Sequence, residues 1–336
     1  MKKRILFRAD GNSNIGLGHL YRLFALVEMY KDTYNFVFVT KDASTLNVIP
    51  KGYNIQLIPN KITIEDEPKW LSENFKPIEY IIIADGYHFD SNYQKSIKNL
   101  DFFLMYIDDL TTEYMHADVV VNHSPNISKQ DYLFEKFTKF AFGTAYAILR
   151  PLFLKASLKN RIIDKIDTVF VCFGGADKYD LSLKVANALI QFNTIKNIHI
   201  VIGGAYRHKE IYNLEEKHTK IHLHKNLNEE ELYNLMKSCN FGIVPSSTIL
   251  YELCAVKMPI LSGYFVDNQQ LIYNGFLDSK AIFGGGDFTK YSVEKFQTKI
   301  SEILEKKKYQ KQCENQKKLI SEKIKDNFID LLKNQL

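Results

Sequence analysis

Tyr80-Ile81-Ile82-Ile83-Ala84-Asp85 is an almost unbroken apolar run that stops on a carboxylate. A strand with one face in water alternates apolar and polar residues. A strand this uniformly apolar is buried on both faces, as in a parallel sheet covered by helices. An acidic segment, Glu65-Asp66-Glu67, precedes it and leads into a helical stretch near Trp70, and a helical piece from Asp90 to Leu100 follows. The alternation extends outward in both directions. Upstream, Ile5-Leu6-Phe7, Phe36-Val37-Phe38-Val39 and Ile55-Gln56-Leu57-Ile58 are strand-like, and Leu20, Leu23, Phe24 and Val27 repeat at helical spacing. Downstream, Phe102 to Ile107 ends in Asp108-Asp109, and Val119-Val120-Val121 ends in Asn122-His123-Ser124-Pro125. Strand following helix following strand argues for a parallel sheet with helices on both faces.

The second half repeats the pattern. Strand-like runs begin at Thr168, Ile198, Ile221, Phe241 and Pro259, and helical patterns cover Leu181 to Phe192 and Glu229 to Cys239. The expected organisation is an α/β first domain over residues 1–154, a polar, basic linker over 155–167, a second α/β domain over 168–300 and a helical tail over 301–336. The tail is expected to pack back onto the first domain.

Composition narrows the function classes. Of 336 residues 46% are hydrophobic, enough for substantial cores, and the net charge of +5 is modest. Lysines around Lys306-Lys307-Lys308 and Lys317-Lys318 are interleaved with Glu305, Glu314 and Glu322, the pattern of a solvated helix rather than a nucleic-acid surface. No apolar run has the ~18 residues of a membrane span, and no signal-peptide core is present, so a cytoplasmic protein without membrane insertion is expected. Cys172, Cys239, Cys254 and Cys313 lack metal-ligand spacing, so neither a zinc site nor a disulfide framework is expected. His222 and His224 share a strand face and could hold a metal, although such pairs are ordinary surface residues.

The chemistry-bearing residues gather just after strands. Asp10, Asp85, Asp109 and Asn122 each follow one, and in open parallel sheets that carboxyl edge is where ligands bind. From Asp10 the chain loosens through Gly11-Asn12-Ser13-Asn14-Ile15-Gly16-Leu17-Gly18 and enters a helix at His19. Gly16 and Gly18 permit close backbone approach to a ligand, and histidine is suited to proton transfer near neutrality. In the second half, Pro245-Ser246-Ser247-Thr248 at a strand-to-helix turn offers hydroxyls and N–H groups to an anion. The same residues equally suit a plain helix cap. Glu252, one turn on, is spaced to accept from two ribose hydroxyls, and Gly174-Gly175 and Gly203-Gly204 allow tight turns or close ligand approach. A dinucleotide fingerprint starting at Gly16 fails because its third glycine position is Tyr21; no P-loop and no nucleophile elbow is present.

Taken in order, several short motifs resemble one family. They are Phe7-Arg8-Ala9-Asp10, Ile15-Gly16-Leu17-Gly18-His19 with Arg22, Asp85-Gly86-Tyr87 and Ile107-Asp108-Asp109-Leu110. Tyr146-Ala147-Ile148-Leu149-Arg150, Phe173-Gly174-Gly175-Ala176-Asp177 and Asp267-Asn268-Gln269 continue the series. The set is similar to the UDP-sugar hydrolases of the pseudaminic acid pathway, relatives of the glycosyltransferases that add N-acetylglucosamine to lipid-linked peptidoglycan precursors. The likeness runs over roughly the first 285 residues. It implies the glycosyltransferase-B fold, two Rossmann-like domains with parallel sheets facing a central cleft and the nucleotide held mainly by the second. It implies hydrolysis of UDP-2,4-diacetamido-2,4,6-trideoxy-β-L-altropyranose to UDP and free sugar, with no cofactor or metal.

Carried over, His19 activates the attacking water and Tyr87 lies beside the sugar. Asp10, Gly16 and Gly18 of the first loop and Gly175 of the second-half turn lie at the substrate. Ser246, Ser247 and Glu252 match the diphosphate- and ribose-binding turn and helix, the backbone near Leu232 matches the uracil site, and Asn268, followed by Gln269, lies near the diphosphate or sugar. The expected partner is a small-molecule UDP-sugar, not nucleic acid, and a monomer is the favoured oligomeric state. Two other readings stay open: a UDP-sugar-dependent glycosyltransferase of the same fold, and a noncatalytic nucleotide-sugar-binding protein.

Overall fold

The computed structural model describes residues 3–12 and 15–333. Ser13 and Asn14, inside the first glycine-rich loop, fall outside it. The chain divides into two units, Met1–Pro151 with Lys323–Leu336, and Leu152–Glu322.

In the first unit the strands are β1 (Arg4–Ala9), β2 (Phe36–Lys41), β3 (Ile55–Ile58), β4 (Tyr80–Asp85) and β5 (Phe103–Ile107). Four short strands follow: β6 (Tyr114–Met115), β7 (Val119–Asn122), β8 (Leu133–Phe134) and β9 (Lys139–Phe142). Helices α1 (Gly18–Tyr30), α2 (Glu67–Asn74) and α3 (Ser91–Asn99) cross over between strands. The main sheet has the order β3-β2-β1-β4-β5-β7-β9, parallel throughout, and β6 pairs β8 separately. Every residue of β4 is buried, as its apolar run requires. Asp90 caps α3, its carboxylate accepting from Tyr93 N–H at 2.8 Å.

The second unit starts with α4 (Pro151–Ser157), whose first residue is the last of the first unit, and continues with β10 (Thr168–Cys172), α5 (Leu181–Leu189), β11 (Asn197–Ile202), α6 (Glu210–Lys217) and β12 (Ile221–Lys225). Then come α7 (Glu229–Ser238), β13 (Phe241–Pro245), α8 (Thr248–Ala255), β14 (Ile260–Tyr264), α9 (Gln270–Asp278) and β15 (Phe283–Asp287). Helices α10 (Val293–Lys306), α11 (Tyr309–Leu319) and α12 (Ile324–Leu332) complete the chain, α12 in the first unit. The second sheet, again parallel, has the order β12-β11-β10-β13-β14-β15. In both sheets the order reverses beside the first strand, between β1 and β4 and between β10 and β13. Ligands of doubly wound folds bind outside the carboxyl ends of the strands at that switch point.

The boundaries differ from those expected. Residues 155–167 are no bare connection: Ile163 and Ile166 join the core of the second unit, and Arg161 donates to the carbonyls of Lys237 and Cys239 at the end of α7. The tail divides. Gln316 of α11 donates to Met258 O at 2.7 Å and Ala281 O at 2.9 Å within the second unit. In the first unit Phe328 of α12 is fully buried, and its carbonyl accepts from Tyr30 OH at 2.7 Å. No helix among the described residues is long and apolar enough to cross a membrane.

Candidate functional site

The carboxyl edge of the first sheet is built around a buried arginine. His19 and Arg22 sit three residues apart in the first two turns of α1, hence on one face of it. Arg22 donates from Nε to Asp85 Oδ2 at 2.8 Å, from Nη2 to Asp85 Oδ1 at 2.6 Å, and from Nη1 to Asp109 Oδ2 at 2.7 Å. His19 Nδ1 lies 2.7 Å from the same Asp85 Oδ1 and 3.0 Å from Arg22 Nη2. Nδ1 thus lies between an acceptor-only carboxylate and a donor-only guanidinium, which favour opposite tautomers; we assign the proton to Nδ1, where it serves the shorter contact, to Asp85. Nε2 is thereby left as the basic nitrogen. Burial alone would raise the Asp85 pKa, but the charge of Arg22, with the hydrogen bonds from His19 and Arg22, outweighs it and keeps the carboxylate ionised. His19 is 7% exposed; Tyr87, edge-on to it at 4.7 Å, is 44% exposed and donates from its OH to Asp109 Oδ2 at 3.3 Å.

The other end of the loop is fastened by a second buried ion cluster. Arg8 holds Asp10 at 2.5 and 2.7 Å and Glu67 at 2.7 and 2.8 Å. Asp10 also accepts from Lys41 N–H at 2.8 Å and Thr40 Oγ1 at 3.1 Å, which ties the end of β1 to the end of β2. Burial opposes the Asp10 charge, yet Arg8 holds its carboxyl well below the usual range. His88 Nε2 is 3.2 Å from Asp10 Oδ2, within ion-pair range but off the direction of a hydrogen bond. The segment 85–88 therefore holds the helix end of residues 10–19 through Asp85 and approaches the other end through His88. Asp10 serves here as an anchor rather than an open acceptor. Gly16 (φ +82) closes the loop, its N–H donating to Asn12 O at 2.9 Å, and Gly18 is the first residue of α1.

In the second unit the turns after β10 and β11 touch. A side chain at Gly203 would start 2.4 Å from Gly175 Cα, whereas one at Gly174 or Gly175 would meet nothing within 4 Å. Gly174, at φ +84, adopts a conformation that favours glycine. Asp177 closes the turn by accepting from the N–H groups of Leu181 and Ser182 at 2.9 and 2.8 Å.

At the next strand end the two serines separate. Ser246 is fully buried; its Oγ is 2.9 Å from Ser262 Oγ and its N–H donates to Gly263 O at 2.8 Å. It shapes the turn from inside rather than facing a ligand. Ser247 stands at the N-cap of α8 without a side-chain capping bond. The first N–H groups of any α-helix, here those of Thr248 and Ile249, lack partners within the helix. Glu252 is buried on α8. Leu232, in the first turns of α7, spends its N–H on Asn228 O at 3.0 Å. Asn268 lies in the short turn Asp267–Gln269 after β14, and Gln269 braces that loop by accepting from Phe265 N–H at 3.1 Å.

Arg22 stands in the sequence motif without a role there, and spacing gives no role to Glu67, His88 or Ser262. A charged residue inside an apolar helix face is the readable signal for Arg22. Among the described residues no group of three or more His, Cys, Asp and Glu side chains could hold a metal ion. All four cysteines are free and buried.

Two parallel doubly wound sheets in one chain constitute the glycosyltransferase-B fold. Solved structures of that fold match along the whole length: Acinetobacter baumannii MurG with a TM-score of 0.68 at 10% identity, covering 99% of both chains. The spinosyn rhamnosyltransferase SpnG, complexed with thymidine diphosphate, matches at 0.67 and 10%, again over 99% of both. Among curated sequences, the chain is 26% identical over 271 residues to the UDP-2,4-diacetamido-2,4,6-trideoxy-β-L-altropyranose hydrolase of Campylobacter jejuni, covering 80% of this chain and 93% of that one. It is also 26% identical over 354 aligned positions to an uncharacterised protein of Methanocaldococcus jannaschii, covering 98% of this chain and 72% of that one. No family model matches.

Proposed function

We propose that the protein is a UDP-sugar hydrolase acting on UDP-2,4-diacetamido-2,4,6-trideoxy-β-L-altropyranose or a close UDP-deoxyamino sugar, in pseudaminic-acid-type sugar biosynthesis. The observation that carries the chemistry is the buried Asp85 carboxylate 2.7 Å from His19 Nδ1, which leaves Nε2 basic at a sheet switch point. A base so oriented takes a proton from water as the water oxygen bonds to the sugar C1. The C1–O bond to the diphosphate breaks, its electron pair leaves with UDP, and the configuration at C1 inverts. Asp85 stabilises the imidazolium that forms. General-base help of this kind is worth ~10²–10⁴ in rate. Tyr87, exposed beside His19, contacts the sugar.

In the second unit we assign UDP to the turn at Gly174-Gly175 and the start of α8. Unobstructed glycines, the Ser247 hydroxyl and helix N–H groups suit an anion that gains charge as it leaves. The name of the Campylobacter jejuni relative supports the substrate class.

The transferase reading makes a different prediction in one assay. UDP-diacetamido sugar isomers are incubated with the protein and no acceptor, and UDP and free sugar are followed by NMR. Hydrolysis gives many turnovers with one isomer preferred. Intact substrate, consumed only after an acceptor is added, overturns the proposal in favour of a glycosyltransferase.

A further inference from the structure

We propose that Arg22 is a positioning residue that sets how strongly His19 holds a proton, by dividing the charge of Asp85 between itself and the imidazole. The inference rests on His19 being the general base, and it concerns how that base is regulated. Asp85 Oδ1 serves two donors at once, Arg22 Nη2 at 2.6 Å and His19 Nδ1 at 2.7 Å, while Oδ2 is held by Arg22 Nε. An oxygen shared with a cation stabilises an imidazolium less than one devoted to it. Asp109 counters this from the far side, 2.7 Å from Arg22 Nη1, and offsets part of the arginine's charge. His19, Asp85 and Arg22 meet at one point, since His19 Nδ1 is also 3.0 Å from Arg22 Nη2, and Asp109 and then Tyr87 extend the network beyond the arginine.

The groups around His19 come from several elements. Arg22 belongs to its own helix, Asp85 and Tyr87 to the end of β4 and the following loop, and Asp109 to the loop after β5. Tyr106 of β5 and His123 after β7 also lie near Arg22 and Asp85, and burial keeps both uncharged at neutral pH. The N-terminus of α1 adds a partial positive charge that disfavours the imidazolium. Of these groups, Asp85 and Asp109 favour it.

This arrangement predicts opposite responses at two positions. Arg22→Gln devotes Asp85 to the imidazole, so His19 takes its proton at a higher pH. Asp109→Asn strips Arg22 of its second counter-charge, so His19 takes its proton at a lower pH. A role limited to packing would move neither, or would cost stability in both alike.

The test is a pH titration of the side-chain nitrogens by ¹⁵N NMR in the full chain without substrate. His19→Asn identifies the His19 signals among the nine histidines. Expected are the Nδ1–H tautomer in the wild type, a midpoint about one pH unit higher in Arg22→Gln, and a lower midpoint in Asp109→Asn. Arg22→Lys, which keeps the charge, should stay closer to the wild type than Arg22→Gln. Equal midpoints, or shifts of the same sign, overturn the proposal. Should Arg22→Gln fail to fold, Asp109→Asn decides alone, because it keeps the Arg22–Asp85 grip. No substrate is involved, so an absence of hydrolysis would count against the proposed function and leave this result standing.

Discussion

His19 and His123 both follow strands at the first carboxyl edge, and their surroundings give them different chemistry. His123 is 2% exposed, its Nδ1 accepts from Ile148 N–H at 3.3 Å, and burial pushes its pKa down to about 3. An unfolded histidine protonates near 6.5, so between about 3 and 6.5 the unfolded chain binds a proton that the folded chain refuses. Stability therefore falls as pH drops through that window, by about 1.4 kcal/mol per unit from this group. Unfolding free energies measured in urea from pH 7 to pH 4.5 should include that slope beside same-signed contributions from His199 and His224, whose pKa values burial also lowers, and His123→Asn should reduce the total slope by about 1.4 kcal/mol per unit. An unchanged slope in the variant would contradict the assignment. The polar residues after the strands were legible because a carboxylate or amide that ends an apolar run marks where a buried strand emerges at the sheet edge. The burial of Ser246 was not legible, because its partner Ser262 is on another strand and only strand order brings them together. Glu67 was hidden for the same reason, paired with Arg8 across 59 residues.

At the level of elements, the two glycine turns of the second unit differ in what they need. Gly203 is glycine because the neighbouring turn fills the space a Cβ would take. Gly203→Ala must displace the backbone at Gly175, and overpacking of this kind costs ~1–3 kcal/mol, so both the melting temperature and UDP affinity should fall. Gly175→Ala points into open space, so the melting temperature should hold while UDP affinity, measured by calorimetry, falls. Unchanged UDP binding in Gly175→Ala would remove this turn from the nucleotide site. The main strands could be read from their apolar runs. The exceptions have physical causes: β15 carries Gly284-Gly285-Gly286 and reads as a turn, and β9 is a four-residue edge strand with only Ala141 buried. The boundaries of 155–167 were obscured because two isoleucines, Ile163 and Ile166, give no period.

Across the whole molecule, two sheets with the same strand order follow one another, and their switch points carry the residues assigned to catalysis and to the nucleotide. The first unit is completed by residues from the far end of the chain, since α12 closes over Tyr30 and Tyr146. A helical tail was readable, but its division between units depends on where Gln316 and Phe328 find their partners, which spacing does not encode. His19→Asn should cut turnover by ~10²–10⁴ and leave UDP binding intact. The most direct measurement is hydrolysis of the UDP-sugar in H₂¹⁸O, with mass analysis of both products and NMR of the first-formed anomer. The account predicts ¹⁸O on C1 of an inverted sugar and none in UDP; label found only in UDP, or retention at C1, would contradict it.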